Sequence, residues 1–274
     1  MSVIPLQPDI SHQPLVTDLP AISLANLPAA LKGFCLQPLP YRLQHLQSTY
    51  EIAFDGYSYP GQQDSRNQGP EDHLHSFVFS DFSPRERYPQ QFQAFIRDQW
   101  APLCRQVHAL EQSILLALGL ESIASQHQRH FGHMMSANYY PAARQTGVDS
   151  SGLRLSAHPD VSLLTVFLQG LGPGFEYRDA AGCWCDAPVR QRVTVFAGEL
   201  LEWLSDGTVP ALRHRVSESA DNGDRFSFAL FSLPQPGTEL ASIEGAKITT
   251  EDWYRLHLEQ WDNPGYNHQE ISRP

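Results

Sequence analysis

Long apolar runs are missing from this 274-residue chain. No stretch of about 18 consecutive apolar residues is present, so a membrane-spanning helix is not expected. Met1 to Ser11 has neither a basic start nor an apolar centre, which argues against a signal peptide. Cysteine is scarce as well. Cys35, Cys104, Cys183 and Cys185 are too few and too scattered for a disulfide framework, and a cytoplasmic location is expected. Basic residues are outnumbered: 19 Lys and Arg stand against 30 Asp and Glu, a formal charge of −11. A nucleic acid is therefore a poor candidate partner, because phosphate binding needs a basic surface. A small-molecule substrate is expected from the site residues below, with a protein or peptide as the alternative. The sequence does not reveal the oligomeric state.

Hydrophobic residues make up 41% and charged residues 18%, the balance of a globular chain rather than a disordered one. With 18 Gly and 21 Pro, turns are frequent, which favours many short strands over a helical bundle. Residues 1–30 are apolar and Pro-rich, with Ile22 and Leu24 alternating like a strand. Gly33 to Gln37 reads as another short strand, Tyr41 to Ala53 as a helix, and Gly56 to Gly69 as a polar loop with the length of a lid. Gln90 to Leu118 carries the strongest helical period. Phe92, Phe95, Ile96, Trp100, Leu103, Val107, Leu110, Ile114 and Leu118 step by three and four, and Gly119 supplies a stop. After His130 the period changes to two. Strands are expected near 132–140, 153–158, 161–168, 174–178, 192–196, 200–204, 213–217 and 225–232, separated by turns such as 170–174, 179–182 and 221–224. The pattern is mostly β with flanking α: a jelly-roll barrel buttressed by N-terminal helices. No linker interrupts it. One domain, 1–274, is expected, with a buttress at 1–130, a core at 131–235 and a C-terminal extension at 236–274.

The sharpest chemical signal is His158-Pro159-Asp160. Residues i and i+2 of a strand share a face, so an imidazole and a carboxylate can meet one ion. His214 supplies a third donor. Two histidines and one carboxylate on one face select non-haem Fe(II) and leave positions open for substrate and O2. Arg225 and Ser227 also share a strand face. A guanidinium grips a carboxylate as a planar fork, and a hydroxyl adds a donor, so an acidic small molecule is implied. Asn138 and Tyr140, again i and i+2, would bring an amide and a phenol to the barrel mouth.

These residues, in the order Asn138-Tyr139-Tyr140-Pro141, His158-Pro159-Asp160, His214-Arg215-Val216 and Arg225-Phe226-Ser227, resemble the isopenicillin N synthase-like 2-oxoglutarate/Fe(II)-dependent dioxygenases. That family includes plant anthocyanidin, gibberellin and flavonol oxygenases and bacterial relatives. Gly198-Glu199 stands where the family usually has Gly-Asp. Gln37-Pro38-Leu39-Pro40 replaces its Asn-His-Gly. The resemblance implies a double-stranded β-helix in which His158, Asp160 and His214 hold Fe(II). Arg225 and Ser227 would bind the distal carboxylate of 2-oxoglutarate, with Tyr140 and Asn138 toward its keto-acid end. No catalytic residue beyond the metal ligands is implied. The implied reaction consumes O2, releases succinate and CO2, and oxidises a substrate C–H, by hydroxylation first and by desaturation or ring closure as other endings.

Strand parity nominates further substrate contacts. Met134 and Ser136 share a face with Asn138 and Tyr140. Arg154 and Ser156 share one with His158. Phe231 falls on the face of Arg225, where the family often stacks a substrate. Arg154 reads either as a solvated strand end or as the anchor for a carboxylate of the primary substrate, such as an amino acid or a natural-product acid. Other groupings read as structural: Cys183-Trp184-Cys185 as a buried hairpin, His127, His130 and His133 as a polar helix end, and His73 and His75 as bland loop positions. Two other functions fit the same residues: a 2-oxoglutarate-independent iron oxidase or cyclase of the same superfamily, and a non-catalytic ligand-binding barrel.

Overall fold

The computed structural model describes residues 9–50, 54–60, 72–142, 153–217 and 223–262, with the backbone alone for 258–262. Of the 56–69 segment, expected as a lid or a plain connection, Gly56–Ser58 forms a strand and 61–69 lies outside the described residues. The N-terminal part contains β1 (Leu15–Pro20), α1 (Leu27–Cys35), α2 (Leu39–Arg42), β2 (Gly56–Ser58) and β3 (His75–Ser80). The segment expected as a strand at Gly33 is instead the end of α1, which starts with Pro28 in its first turn, where a missing N–H costs nothing. The helix expected over Tyr41 to Ala53 breaks after α2 into two single 3-10 turns, Leu43–His45 and Gln47–Thr49. Ile22 and Leu24 lie outside any strand; β1 precedes them.

The expected long helix forms as α3 (Gln90–Phe95) and α4 (Ala101–Ala117), joined without a break by a π turn over Ile96–Trp100. The wider turn shifts the apolar stripe so that Phe92, Phe95, Ile96, Trp100, Leu103, Val107, Leu110 and Ile114 are all buried. Gly119, at φ +73°, turns the chain into α5 (Glu121–His130).

The barrel follows. Its strands are β4 (Phe131–Tyr140), β5 (Leu153–His158), β6 (Leu164–Phe167), β7 (Phe175–Arg178), β8 (Trp184–Asp186) and β9 (Arg192–Ala197), then β10 (His214–Ser217) and β11 (Arg225–Pro234) after helix α6 (Glu199–Leu204). A seven-stranded sheet runs β1-β9-β6-β11-β4-β3-β2, and a four-stranded sheet runs β5-β10-β7-β8. A short hairpin, β12 (Glu239–Ala241) and β13 (Lys247–Thr249), leads to α7 (Thr250–Asp262). The strand expected at 200–204 is α6: Leu200, Leu201 and Leu204 are spaced for one helix face, and extended Gly198 precedes the first turn. The Cys183–Cys185 hairpin forms between β7 and β8. It is not buried, because Cys183 is exposed and Cys185 half-exposed.

The His127/His133 pair is not a polar helix end. Both Nε2–H groups donate to Glu111 Oε2, at 3.1 and 2.9 Å, inside the joint of α4, α5 and β4. Gln112 donates to His127 Nδ1 at 2.6 Å, which leaves the His127 proton on Nε2. Burial pushes the Glu111 carboxyl up, but the His133 charge and the two imidazole donors outweigh it and hold it at about 2. Burial lowers the His133 pKa, and the adjacent Glu111 more than reverses this, so it ends above its ordinary value. The Glu111 contribution to stability is present above the ordinary carboxylate range and is lost as pH falls toward 2. The His133 share is present below the ordinary imidazole value and is lost as pH rises through the raised one. Glu111→Gln is expected to remove about 3–5 kcal/mol and to lower Tm by roughly 10 °C, as read by calorimetry. His75, by contrast, is a packed ring. It stacks between Tyr57 and Tyr139 and bonds the Tyr57 hydroxyl, and burial lowers its pKa to about 4. His73 precedes β3, so the two do not share a strand face.

Candidate metal centre

His158 and His214 face each other across the β5–β10 ladder, with ring centroids 4.6 Å apart. Asp160 follows in the turn toward β6. Its Oδ1 lies 3.7 Å from His158 Nε2 and 3.9 Å from His214 Nε2, and one donor atom from each residue falls within a 4.8 Å cluster. Each imidazole is oriented by the backbone carbonyl two residues before it. His158 Nδ1 lies 2.7 Å from the Ser156 carbonyl, and His214 Nδ1 lies 3.1 Å from the Leu212 carbonyl. A carbonyl only accepts, so the proton sits on Nδ1 in both rings and the Nε2 lone pairs converge on the Asp160 oxygen. Phe175 stacks on His214 at 5.1 Å and Phe196 packs against it at 4.9 Å, which fixes the ring plane.

Asp160 is held from behind. Thr165 Oγ1 donates to Oδ2 at 2.6 Å, and Ser162 bonds Thr165 at 2.9 Å. The Glu199 N–H donates to the Asp160 carbonyl at 2.7 Å. Gly198 permits that approach: a Cβ there would lie 2.1 Å from the Ser162 carbonyl oxygen. Sequence reasoning did not single out Thr165; a Thr on the strand directly after the metal motif was its only signal. Thr165→Val, which keeps the shape and deletes the donor, is expected to weaken Fe(II) binding by about 10–100-fold in an anaerobic titration.

The second half of the site is on the large sheet. In the β4–β11 register Arg225 faces Tyr140, Ser227 faces Asn138, Ala229 faces Ser136 and Phe231 faces Met134. All eight line one cavity with His158, Asp160 and His214. The Arg225 guanidinium lies 4.6 Å from the Tyr140 ring centroid, and its Nε and Nη1 are buried without a hydrogen-bond partner. Buried guanidinium donors left unpaired are costly, so the arrangement calls for an anion. Burial pushes the Tyr140 phenol up, and the Arg225 charge beside it opposes the rise.

Arg154 and Ser156 depart from the expected parity. His214 pairs with His158 but Val216 pairs with Leu155, so β5 spends three residues where β10 spends two. This bulge breaks the i, i+2 rule, and Leu155 rather than Ser156 joins His158 on the cavity wall. Arg154 is buried outside that lining. The cavity also takes Gln47, Phe54, Leu74, Ser76 and Val78 from the N-terminal half. Their signal was faint. Ser76 to Ser80 is buried on both faces, so it shows no alternation.

Residues 131–234 match the family model described as the 2OG-Fe(II) oxygenase superfamily. The matched segment runs from β4 to the end of β11 and carries His158, Asp160, His214 and Arg225. Among curated proteins, a stretch of this chain is 34% identical over 104 residues to 2-oxoglutarate-dependent dioxygenase AOP3 of Arabidopsis thaliana, covering 38% of this chain and 25% of the relative. Proline hydroxylase buaE of Petromyces alliaceus is 22% identical over 275 residues, covering 89% of this chain and 83% of the relative. The chain thus spans about a quarter of the length of the first curated relatives it matches. Among solved structures, a 2OG-Fe(II) oxygenase family protein from Caulobacter crescentus superposes with a TM-score of 0.66 at 18% identity, covering 85% of this chain and 84% of that one. This likeness shows that the oxygenase fold extends over the N-terminal helices as well as the barrel.

Proposed function

We propose that the protein is an Fe(II)- and 2-oxoglutarate-dependent dioxygenase that oxidises a small molecule, foremost by hydroxylation, with release of succinate and CO2. One observation carries the reading: the His-Asp-His donor set and the unpaired donors of Arg225 open on the same cavity. Two nitrogens and one carboxylate oxygen suit Fe(II) and leave coordination positions for a keto acid and O2. His158, Asp160 and His214 would hold the metal. Arg225 and Ser227 would hold the distal carboxylate of 2-oxoglutarate, with the Tyr140 phenol toward its keto-acid end. Asn138 stands between that end and the substrate wall.

The bound metal and co-substrate supply the oxidising chemistry, in which O2 is reduced while the keto acid is decarboxylated. The protein orients and excludes. The Nδ1–H bonds to Ser156 and Leu212 put the lone pair on Nε2 in both rings. Thr165 holds the second Asp160 oxygen by hydrogen bonding, and Phe175 and Phe196 cover the His214 side. Asp160 also supplies the carboxylate whose absence would make room for a halide, so oxygenation is favoured over halogenation.

The purified protein with Fe(II), ascorbate and 2-oxoglutarate is expected to release succinate, slowly without substrate and faster with it. Anaerobically, the ferrous protein is expected to gain a visible absorption band when 2-oxoglutarate is added. Iron binding without the band points to a 2-oxoglutarate-independent oxidase, and failure to bind iron points to a non-catalytic barrel.

A further inference from the structure

We infer that the primary substrate is an uncharged, largely apolar small molecule with one hydrogen-bonding oxygen, and not a carboxylate or an amino acid. The inference rests on the oxygenase reading and concerns the part of the cavity which that reading leaves free. Two apolar clusters flank the metal centre. One surrounds the Arg225 end and includes Tyr140, Phe167, Phe175 and Val216. The other consists of Phe54, Val78, Met134 and Leu233, with Val161 against it. Phe231 packs on both. It therefore stands at the junction between the co-substrate end and the outer end.

At the outer end no described lining residue carries a charge. Arg225 is the one Lys or Arg in the described lining, and the co-substrate takes it. Arg154, the cation that parity had offered to a substrate carboxylate, is excluded from the lining by the β5 bulge. A carboxylate placed against Phe54, Val78, Met134 and Phe231 would lose its hydration with no cation among the described lining residues in return. The protein's overall charge of −11 adds nothing to attract an anion.

One polar strip crosses the wall. Ser136 Oγ–H donates to Asn138 Oδ1 at 2.9 Å. Its single proton is thereby used, so Ser76 Oγ–H donates to Ser136 Oγ at 3.0 Å. The free groups at the end of this chain are the Asn138 amide N–H donors. They suit a hydroxyl or carbonyl oxygen. Gln47 adds no charge, and its Nε2 is turned to the Phe54 carbonyl at 3.3 Å.

The test uses matched probes, 2-naphthol and 2-naphthoate, titrated calorimetrically into the anaerobic protein loaded with Fe(II) and 2-oxoglutarate. The alcohol is expected to bind at least about tenfold tighter than the acid, a difference of about 1.4 kcal/mol. Equal affinity, tighter binding of the acid, or no binding of either overturns the inference. Val78→Arg, which places a guanidinium on the wall, is expected to reverse the preference. Met134→Lys serves the same purpose should the first variant fail to fold. An unchanged preference in a folded variant sinks the assignment of this wall to substrate. Should naphthoate bind tightly and lose that affinity in Arg154→Gln, Arg154 reaches the substrate and the neutral reading falls. The 2-oxoglutarate titration on the same sample separates the two claims. If it binds while the probes behave otherwise, only the substrate inference fails; if it does not bind, the oxygenase reading fails.

Discussion

Replacing His214 by alanine is expected to abolish Fe(II) binding and succinate release together, with an affinity loss above about 100-fold, beyond that of an outer partner such as Thr165. The ring is 3% exposed and sits between Phe175 and Phe196, so its removal leaves a hole that water or a free side chain fills poorly. The two remaining donors cannot define a face of an octahedron. Anaerobic iron titration reads the effect directly, and circular dichroism checks that the barrel survives. Iron binding at the wild-type affinity in this variant would mean that the metal sits elsewhere.

Arg225→Gln separates the co-substrate from the metal. Leaving a buried carboxylate without its guanidinium partner costs about 2 kcal/mol or more, so the Kd for 2-oxoglutarate is expected to rise by at least about 30-fold. Iron affinity is expected to hold, because the side chain belongs to β11 on the opposite sheet from His158 and His214. Arg225→Lys keeps the charge and loses the planar fork, and an intermediate Kd is expected. Equal affinity across all three proteins would show that the distal carboxylate is bound by another group.

The period-two half of the chain was legible where the large sheet obeys alternation, in β4 and β11. Met134, Ser136, Asn138 and Tyr140 reach the cavity as spacing alone predicts, and so do Arg225 to Phe231. Alternation failed in β5, where register shifts on both sides of Leu155 take Arg154 and Ser156 off the lining face. Bulges leave no mark in a hydrophobic pattern, since either neighbour of the extra residue can carry the apolar side chain. It failed differently at Leu200 to Leu204. There an apolar run fits a buried strand or a short helix equally, and the extended Gly198 before it decides for the helix. In the N-terminal half, Gly33-Phe34-Cys35 looks like a strand in isolation, but Pro28 begins a helix that runs through it. The Glu111 cluster was invisible for a plainer reason. Its members come from α4, α5 and β4, and only the fold brings them together.

The metal donors come from the small sheet and the turn that leaves it, whereas the outer wall at Val78, Met134 and Phe231 belongs to the large sheet. Selection can therefore exchange one face of the sandwich while the other stays fixed. On the proposed reading, randomising those three positions is expected to alter substrate range and to leave iron uptake unaltered.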